Sequence, residues 1–135
     1  MGKIVFLNID GTIRDFDGII PDSAIKAIHM ARENGHKVCI STGRTYTRID
    51  KEILDIGFDG IISSSGGYVE YEGECISHRY FTQLAYIELM NDLLLHQCVV
   101  EIETGRESYV LSQDMEAYLA IRGLYKRRFY CHRRQ

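Results

Sequence analysis

Residues 3–12 read KIVFLNIDGT, and the way that decapeptide divides decides the fold. Its first half is an uninterrupted apolar run in which β-branched Ile4 and Val5 lead into Phe6 and Leu7. Such a run without polar alternation predicts a buried strand from Lys3 to Asn8. Asp10-Gly11-Thr12 then supplies turn chemistry, so the chain leaves the strand abruptly. A polar cluster at the C-terminal end of a strand is where open α/β sheets place their sites.

The same logic carries outward along the chain. Pro21-Asp22-Ser23 opens a helix that sets Ala24, Ile28 and Ala31 on one face and ends at Gly35. His36 to Ile40 is a second apolar strand, handing Ser41-Thr42-Gly43-Arg44 to the start of a second helix. That helix carries Ile49, Ile53 and Ile56 and stops at Gly57. Ile61-Ile62 is a third strand, brief and central. Strand, helix, strand, helix, strand in this order predicts an α/β fold with a parallel sheet and right-handed crossovers.

After residue 65 the pattern changes. Tyr68 to Tyr71 and Glu74 to His78 flank Glu72-Gly73 as a β-hairpin. Thr82 caps a further helix bearing Tyr86, Leu89, Met90 and Leu93. Val99 to Glu103 and Ser108 to Ser112 then alternate as strands around Gly105-Arg106, with a last helix from Gln113 to Ile121. The expected division is 1–80 and 81–135, resting on pattern alone because no linker, repeat or low-complexity tract marks it.

Composition sets the outer limits. The chain has 135 residues, 45% hydrophobic and 26% charged, an ordinary globular balance with enough length for one modest core. No apolar run reaches about 18 residues, and the N-terminus lacks the apolar segment and cleavage site of a secretory signal, so a soluble cytoplasmic protein without a membrane span is expected. Cys39, Cys75, Cys98 and Cys131 show no C-x-x-C spacing and read as buried reduced thiols. His29 and His96 have no partner four residues on that could share a metal. Residues 1–121 hold 10 Lys and Arg against all 19 acids, whereas Arg122 to Gln135 hold six basic residues and no acid. A basic tail can bind nucleic acid. Its interleaved aromatics favour packing instead, and Tyr80, Tyr86, Tyr109, Tyr118, Tyr125 and Tyr130 are expected to fill core or interface.

Two constellations could carry chemistry. In the first, residues 8 and 10 stand two apart at a strand end, with Gly11 permitting a sharp turn. Phosphoryl transfer needs a nucleophile, charge neutralisation and proton transfer. Asp10 is placed for the proton transfer, but Asn8 is neutral, a poor nucleophile and a weak ligand for a hard cation. A plain strand-to-loop turn explains the same five residues. In the second, Ser41-Thr42-Gly43-Arg44 joins a strand to a helix start, where amides, the Thr42 hydroxyl and Arg44 could hold a phosphate oxygen. Ordinary N-capping explains it equally, and the P-loop pattern is absent.

Together they are more specific. FLNIDGTI, IPDSAIKAI, GHKVCISTGRTY and GIISSSGGYVEYEGE resemble the haloacid dehalogenase superfamily, and its Cof-type, sugar-phosphatase-like branch (IIB), closely over residues 3 to about 80. The resemblance implies the N-terminal half of a Rossmann-like core, the hairpin, and the opening of an α+β cap. It also implies Mg²⁺-dependent hydrolysis of a small phosphorylated metabolite, a sugar phosphate above all, through an aspartyl-phosphate. Carried over, Asn8 and Asp10 take the catalytic and metal-binding positions, and Gly11, Thr12, Thr42, Gly43 and Arg44 line the phosphate loop. Three departures stand out. Asn8 replaces the nucleophilic aspartate, and Ser65 stands where many relatives have asparagine. The sequence also ends before the family's lysine and acidic-pair motifs. Little or no hydrolysis and weak Mg²⁺ binding are therefore expected; the alternative is a degenerate, non-catalytic module that binds or self-associates through an uncovered face, with nucleic acid not favoured as a partner.

Overall fold

Residues 1–15, 17–96, 98–104 and 108–111 are described by a computed structural model, and they fall into two units that meet in sequence between Arg79 and Tyr80. In the first, the apolar run becomes β1 (Ile4–Leu7), which pairs in parallel with β2 (Lys37–Ser41), and β2 pairs in parallel with β3 (Gly60–Ser63). The hairpin strands β4 (Tyr68–Tyr71) and β5 (Glu74–His78) continue the same sheet in antiparallel sense, giving the order β1-β2-β3-β4-β5. The sheet is thus mixed, and the hairpin is part of it. Glu72 and Gly73 both take positive φ, 50° and 83°, as a two-residue type I′ hairpin turn demands.

Helix α1 (Asp22–Glu33) lies against β2 and buries Ile28, with Ala24, Ile25 and Ala31 half-buried beside it. Gly35, at φ 78°, ends it by donating to the Arg32 carbonyl while His36 donates to that of Ala31, leaving no β-carbon to oppose the left-handed turn. Ile9, Ile13, Ile28, Val38, Ile40, Ile49, Ile53, Ile56 and Ile61 form one core cluster. The crossover joining β1 to β2 and the one joining β2 to β3 are therefore held by nearly uniform isoleucine packing.

Four expectations are corrected. β1 is not buried: Ile4 and Phe6 are 59% and 56% exposed, because among the described residues β1 ends the sheet and pairs only with β2. An apolar groove of about 270 Å³ opens beside it, lined by Val5, Leu7, Ile13, Ala24, Ile28 and Val38 among others. The second helix is broken. Tyr46–Arg48 forms a 3₁₀ turn, Ile49 is extended (φ −78°, ψ 118°), and only α2 (Lys51–Leu54) is helical, yet Ile49, Ile53 and Ile56 still reach the core. The threonine- and tyrosine-rich start has weak helix preference. Cys75 is exposed, unlike Cys39. Tyr80, Tyr86 and Tyr109 are also exposed.

The second unit contains α3 (Gln83–Leu95) and the antiparallel pair β6 (Val100–Glu103) and β7 (Ser108–Leu111). The Thr82 hydroxyl accepts from the Ala85 amide at 3.3 Å, the expected N-cap. Among the described residues its buried apolar side chains are Met90, Val100 and Val110. The Gly105-Arg106 turn, the helix expected from Gln113 to Ile121, Tyr118, Tyr125, Tyr130, Cys131 and the basic tail lie outside the described residues. Among the described residues no helix is long and apolar enough to cross a membrane.

Candidate functional site

Because β1 and β2 run parallel with Leu7 opposite Ile40, the segments that follow them, Asn8-Ile9-Asp10 and Ser41-Thr42-Gly43-Arg44, leave the sheet side by side. Parallel register alone brings the two sequence motifs together.

The loop after β1 is wound around the Ile9 carbonyl, which accepts from the amides of Thr12, Ile13 and Arg14 at 3.2, 3.1 and 3.0 Å. Gly11, at φ 80°, turns its own amide to the Arg14 carbonyl at 2.8 Å. Ile9 and Ile13 are driven into the core, which leaves Asn8, Asp10 and Thr12 exposed. The Asn8 amide nitrogen donates to the Asp10 carbonyl oxygen at 3.1 Å. Thr12 borders the apolar groove beside α1.

The loop after β2 is fixed from both sides. Thr42 is 5% exposed; its amide donates to the Ile62 carbonyl and its hydroxyl accepts from the Arg44 amide at 3.2 Å. The hydroxyl thus performs the capping role that the sequence allowed, but on a turn, with no helix starting there. The phosphate-binding reading loses its helix N-terminus accordingly. The residues after β3 close over this loop: the Ser64 and Ser65 amides donate to the Arg44 and Thr42 carbonyls at 2.7 and 3.2 Å. Ser64 and Ser65 sit at φ 51° and 52°, a left-handed stretch that non-glycine residues rarely adopt. A β-carbon on Gly43 would lie 3.5 Å from the Ser65 hydroxyl.

Charge ties the two loops. Arg44 grips Asp10 with two nitrogens, Nε to Oδ2 at 2.8 Å and Nη2 to Oδ1, and donates through Nη1 to Asp50 at 3.2 Å. Arg14 reaches the same Asp50 oxygen at 2.6 Å. The result is an alternating row, Asp10, Arg44, Asp50, Arg14. Burial by itself would lower the Arg44 pKa, but its bonds to Asp10 and Asp50 outweigh that and raise it. Asn8, Asp10, Thr42, Gly43 and Arg44 are thereby assembled. Arg14, Asp50 and Ser65 complete the assembly and were not singled out by spacing, since each joins it only through long-range packing.

The residues present do not fit Mg²⁺. Position 8 offers one neutral oxygen, its nitrogen already occupies the Asp10 carbonyl, and the Asp10 carboxylate is taken by Arg44. Among the described residues no group of three His, Cys, Asp or Glu could hold a metal. A hard cation wants several oxygen ligands, anionic ones included.

A family model for haloacid dehalogenase-like hydrolases matches residues 5–132. YkrA of Bacillus subtilis is 35% identical over 74 residues, 55% of this chain and 29% of that protein. The 5-amino-6-(5-phospho-D-ribitylamino)uracil phosphatase YitU of the same organism is 29% identical over 82 residues, 60% of this chain and 30% of its own. Among solved structures, the phosphatase BT1666 of Bacteroides thetaiotaomicron is 25% identical with a TM-score of 0.78, covering 90% of this chain and 46% of that one. The subclass IIB sugar phosphatase BT4131 shares the fold at 23% identity and a TM-score of 0.77, over 98% and 52%. The chain thus spans about half the length of the solved relatives and matches less than a third of the curated ones. With its two strand-end motifs brought together on an α/β sheet, this chain belongs to the haloacid dehalogenase-like hydrolase family.

Proposed function

We propose that this chain binds a small phosphorylated metabolite, with a sugar phosphate as the favoured class, at a phosphatase-type site whose hydrolytic step is strongly impaired. One observation carries the reading: Asn8 stands at the end of β1, beside the Thr42-Gly43-Arg44 loop, with its amide spent on the Asp10 carbonyl. A covalent route requires a carboxylate there to take the phosphoryl group. A neutral amide at position 8 cannot do so, and loss of a covalent nucleophile costs up to about 10⁶ in kcat. What survives is recognition. The Gly43 backbone, the Thr42 hydroxyl and the Arg44 fork present donors, with phosphate competing against Asp10 and Asp50 for the guanidinium. Names of relatives support the ligand class: YitU is a phosphatase of a phosphorylated ribityl compound, and BT4131 is a sugar phosphatase.

The test compares p-nitrophenyl phosphate turnover by this chain with that of Asn8→Asp, alongside calorimetric titration of the unaltered chain with inorganic phosphate. Turnover at the blank rate with saturable phosphate binding is expected. Turnover well above blank refutes the impairment, and absence of saturable binding refutes the recognition.

A second reading, self-association, is favoured by the uncovered β1. Ile-Val-Phe-Leu carries no charge, and an antiparallel copy of β1 would satisfy its open backbone edge while setting Lys3 of one copy toward the Asn8–Asp10 end of the other. Size-exclusion chromatography with light scattering decides it: a dimer that Phe6→Lys dissociates is expected, and a monomer across the accessible concentration range rules it out.

A further inference from the structure

We propose that Asn8 makes the site independent of divalent cations, its amide N–H taking the place that a cation would have to fill were residue 8 a carboxylate. The inference rests on the phosphate-site reading above for its ligand, and on the Asn8–Asp10 contact for its mechanism.

The Asn8 side chain approaches the Asp10 carbonyl at 3.1 Å. A carbonyl oxygen only accepts, so the amide must present its nitrogen there; its oxygen in that place would face a second lone pair. An aspartate in the same rotamer has two oxygens and no nitrogen. It would set a charged carboxylate oxygen against the partially negative carbonyl oxygen at this distance, lone pair to lone pair. Two oxygens so placed are tolerated when a cation or a proton lies between them. With metal–oxygen distances of about 2.0–2.1 Å, adjacent corners of a Mg²⁺ octahedron are about 3 Å apart, the separation already present here. In this chain the amide hydrogen completes the contact, and no cation is called for.

The same exchange alters the demands of an anionic ligand. Carboxylates at both 8 and 10 would repel a phosphate, and neutralising them is one task of a bound cation. Asn8 removes one of those charges outright, so a phosphate that draws Arg44 away from Asp10 meets one carboxylate in place of two. The need for a metal escort falls accordingly.

The experiment titrates the full chain and Asn8→Asp with Mn²⁺, following free Mn²⁺ by electron paramagnetic resonance, and measures inorganic phosphate affinity of the unaltered chain with Mg²⁺ and with EDTA. Asn8→Asp is expected to bind Mn²⁺ at least about tenfold more tightly, the low end of what one supporting group contributes at a metal site. Phosphate affinity of the unaltered chain is expected to be the same in Mg²⁺ and EDTA. Equal Mn²⁺ binding by both proteins overturns the proposal, as does failure of a normally folded Asn8→Asp to bind. If Asn8→Asp does not fold, the phosphate comparison decides: tighter binding in Mg²⁺ overturns the inference. If phosphate binds in neither condition, the ligand reading fails while the Mn²⁺ titration still judges the role of Asn8.

Discussion

Replacing Arg44 with alanine removes the middle of the Asp10, Arg44, Asp50, Arg14 row, and the structure constrains how much that should cost. The Arg44 side chain is 10% exposed, which invites comparison with a buried ion pair, where removing one partner costs about 3–5 kcal/mol. Its acids are not buried to match: Asp10 and Asp50 are 54% and 41% exposed. Both carboxylates can rehydrate once the guanidinium leaves, and Asp50 keeps Arg14 at 2.6 Å. Each lost pair then falls in the surface class of about 0.2–1 kcal/mol. Adding the bond from Arg44 to the Arg48 carbonyl, at 3.3 Å and therefore weak, brings the expected destabilisation to about 1–2 kcal/mol. Hydration of the acids thus outweighs the burial of the base.

The assay is urea unfolding of the unaltered chain, Arg44→Ala, Asp10→Asn and the double variant. Far-UV circular dichroism and tyrosine fluorescence serve as probes, since the chain has nine tyrosines and no tryptophan. The cycle should return an Arg44–Asp10 coupling of about 0.5–1 kcal/mol that shrinks in high salt. A loss above about 3 kcal/mol that salt leaves unchanged would show that the acids are desolvated after all. Zero coupling would show that the two side chains are not paired in solution, and the reading of Arg44 as the clamp between the loops would fall.

Three further outcomes follow from residues outside that row. The Asp59 carboxyl is held below its ordinary pKa although burial alone would raise it, because the Val38 amide, Arg32 and Lys37 all donate to it; its contribution is therefore complete above the unfolded carboxylate value of about 4 and is lost as pH falls through the lower folded value. Asp59→Asn should cost about 1–2 kcal/mol at neutral pH, with its stability profile converging on the parent's in acid, and parallel profiles would refute the assignment. Ser63 is fully buried with a hydroxyl that has no partner among the described residues, so Ser63→Ala should be neutral or stabilising by up to about 1 kcal/mol in thermal melts, and a clear loss would reveal a hidden hydrogen bond. Iodoacetamide followed by peptide mapping should modify exposed Cys75 well before Cys39, whose thiol burial pushes up, followed by the nearby Asp59 charge; the reverse order would contradict the burial of β2.

The fold was legible wherever a short-range signal coincided with a long-range requirement. Gly35 and Glu72-Gly73 mark ends that backbone sterics enforce locally, and the structure places the helix stop and the hairpin turn at those residues. The apolar run at β1 was misread for the opposite reason. Unbroken hydrophobicity reports that a strand wants cover on its faces and neighbours on its edges, but not which residues provide them; among the described residues β2 is the strand paired with β1, and Leu7 is packed against the core cluster while Ile4 and Phe6 stay exposed. The helix expected after Arg44 failed similarly. Isoleucines at 49, 53 and 56 satisfy a helical period, yet they reach the same core through a 3₁₀ turn, an extended residue and a single helical turn. Periodicity specifies a face, and more than one backbone path delivers it.

For the site, residue types were legible and their pairing was not. Asn8, Asp10, Thr42, Gly43 and Arg44 could be chosen from two motifs because parallel strand ends converge, but nothing in either motif says that Arg44 turns back to Asp10, or that Asp50 binds both Arg44 and Arg14. Those contacts span from six to 36 residues in sequence and depend on where the broken helix sets Asp50. The consequence is chemical. From sequence, Asp10 is a carboxylate ready to move a proton and Arg44 a cation ready for phosphate; in the folded chain each is the other's ligand. Any phosphate that binds Arg44 must weaken its hold on Asp10, so anion binding and release of the Asp10 carboxylate are linked through one guanidinium. Asn8 holds the backbone carbonyl of the same Asp10. On the proposed reading a carboxylate at position 8 would supply a nucleophile and a cation requirement together, and because Asn8 and Arg44 both bind Asp10, Asn8→Asp and Arg44→Ala should be non-additive in phosphate affinity; strictly additive effects would show that the two contacts act separately.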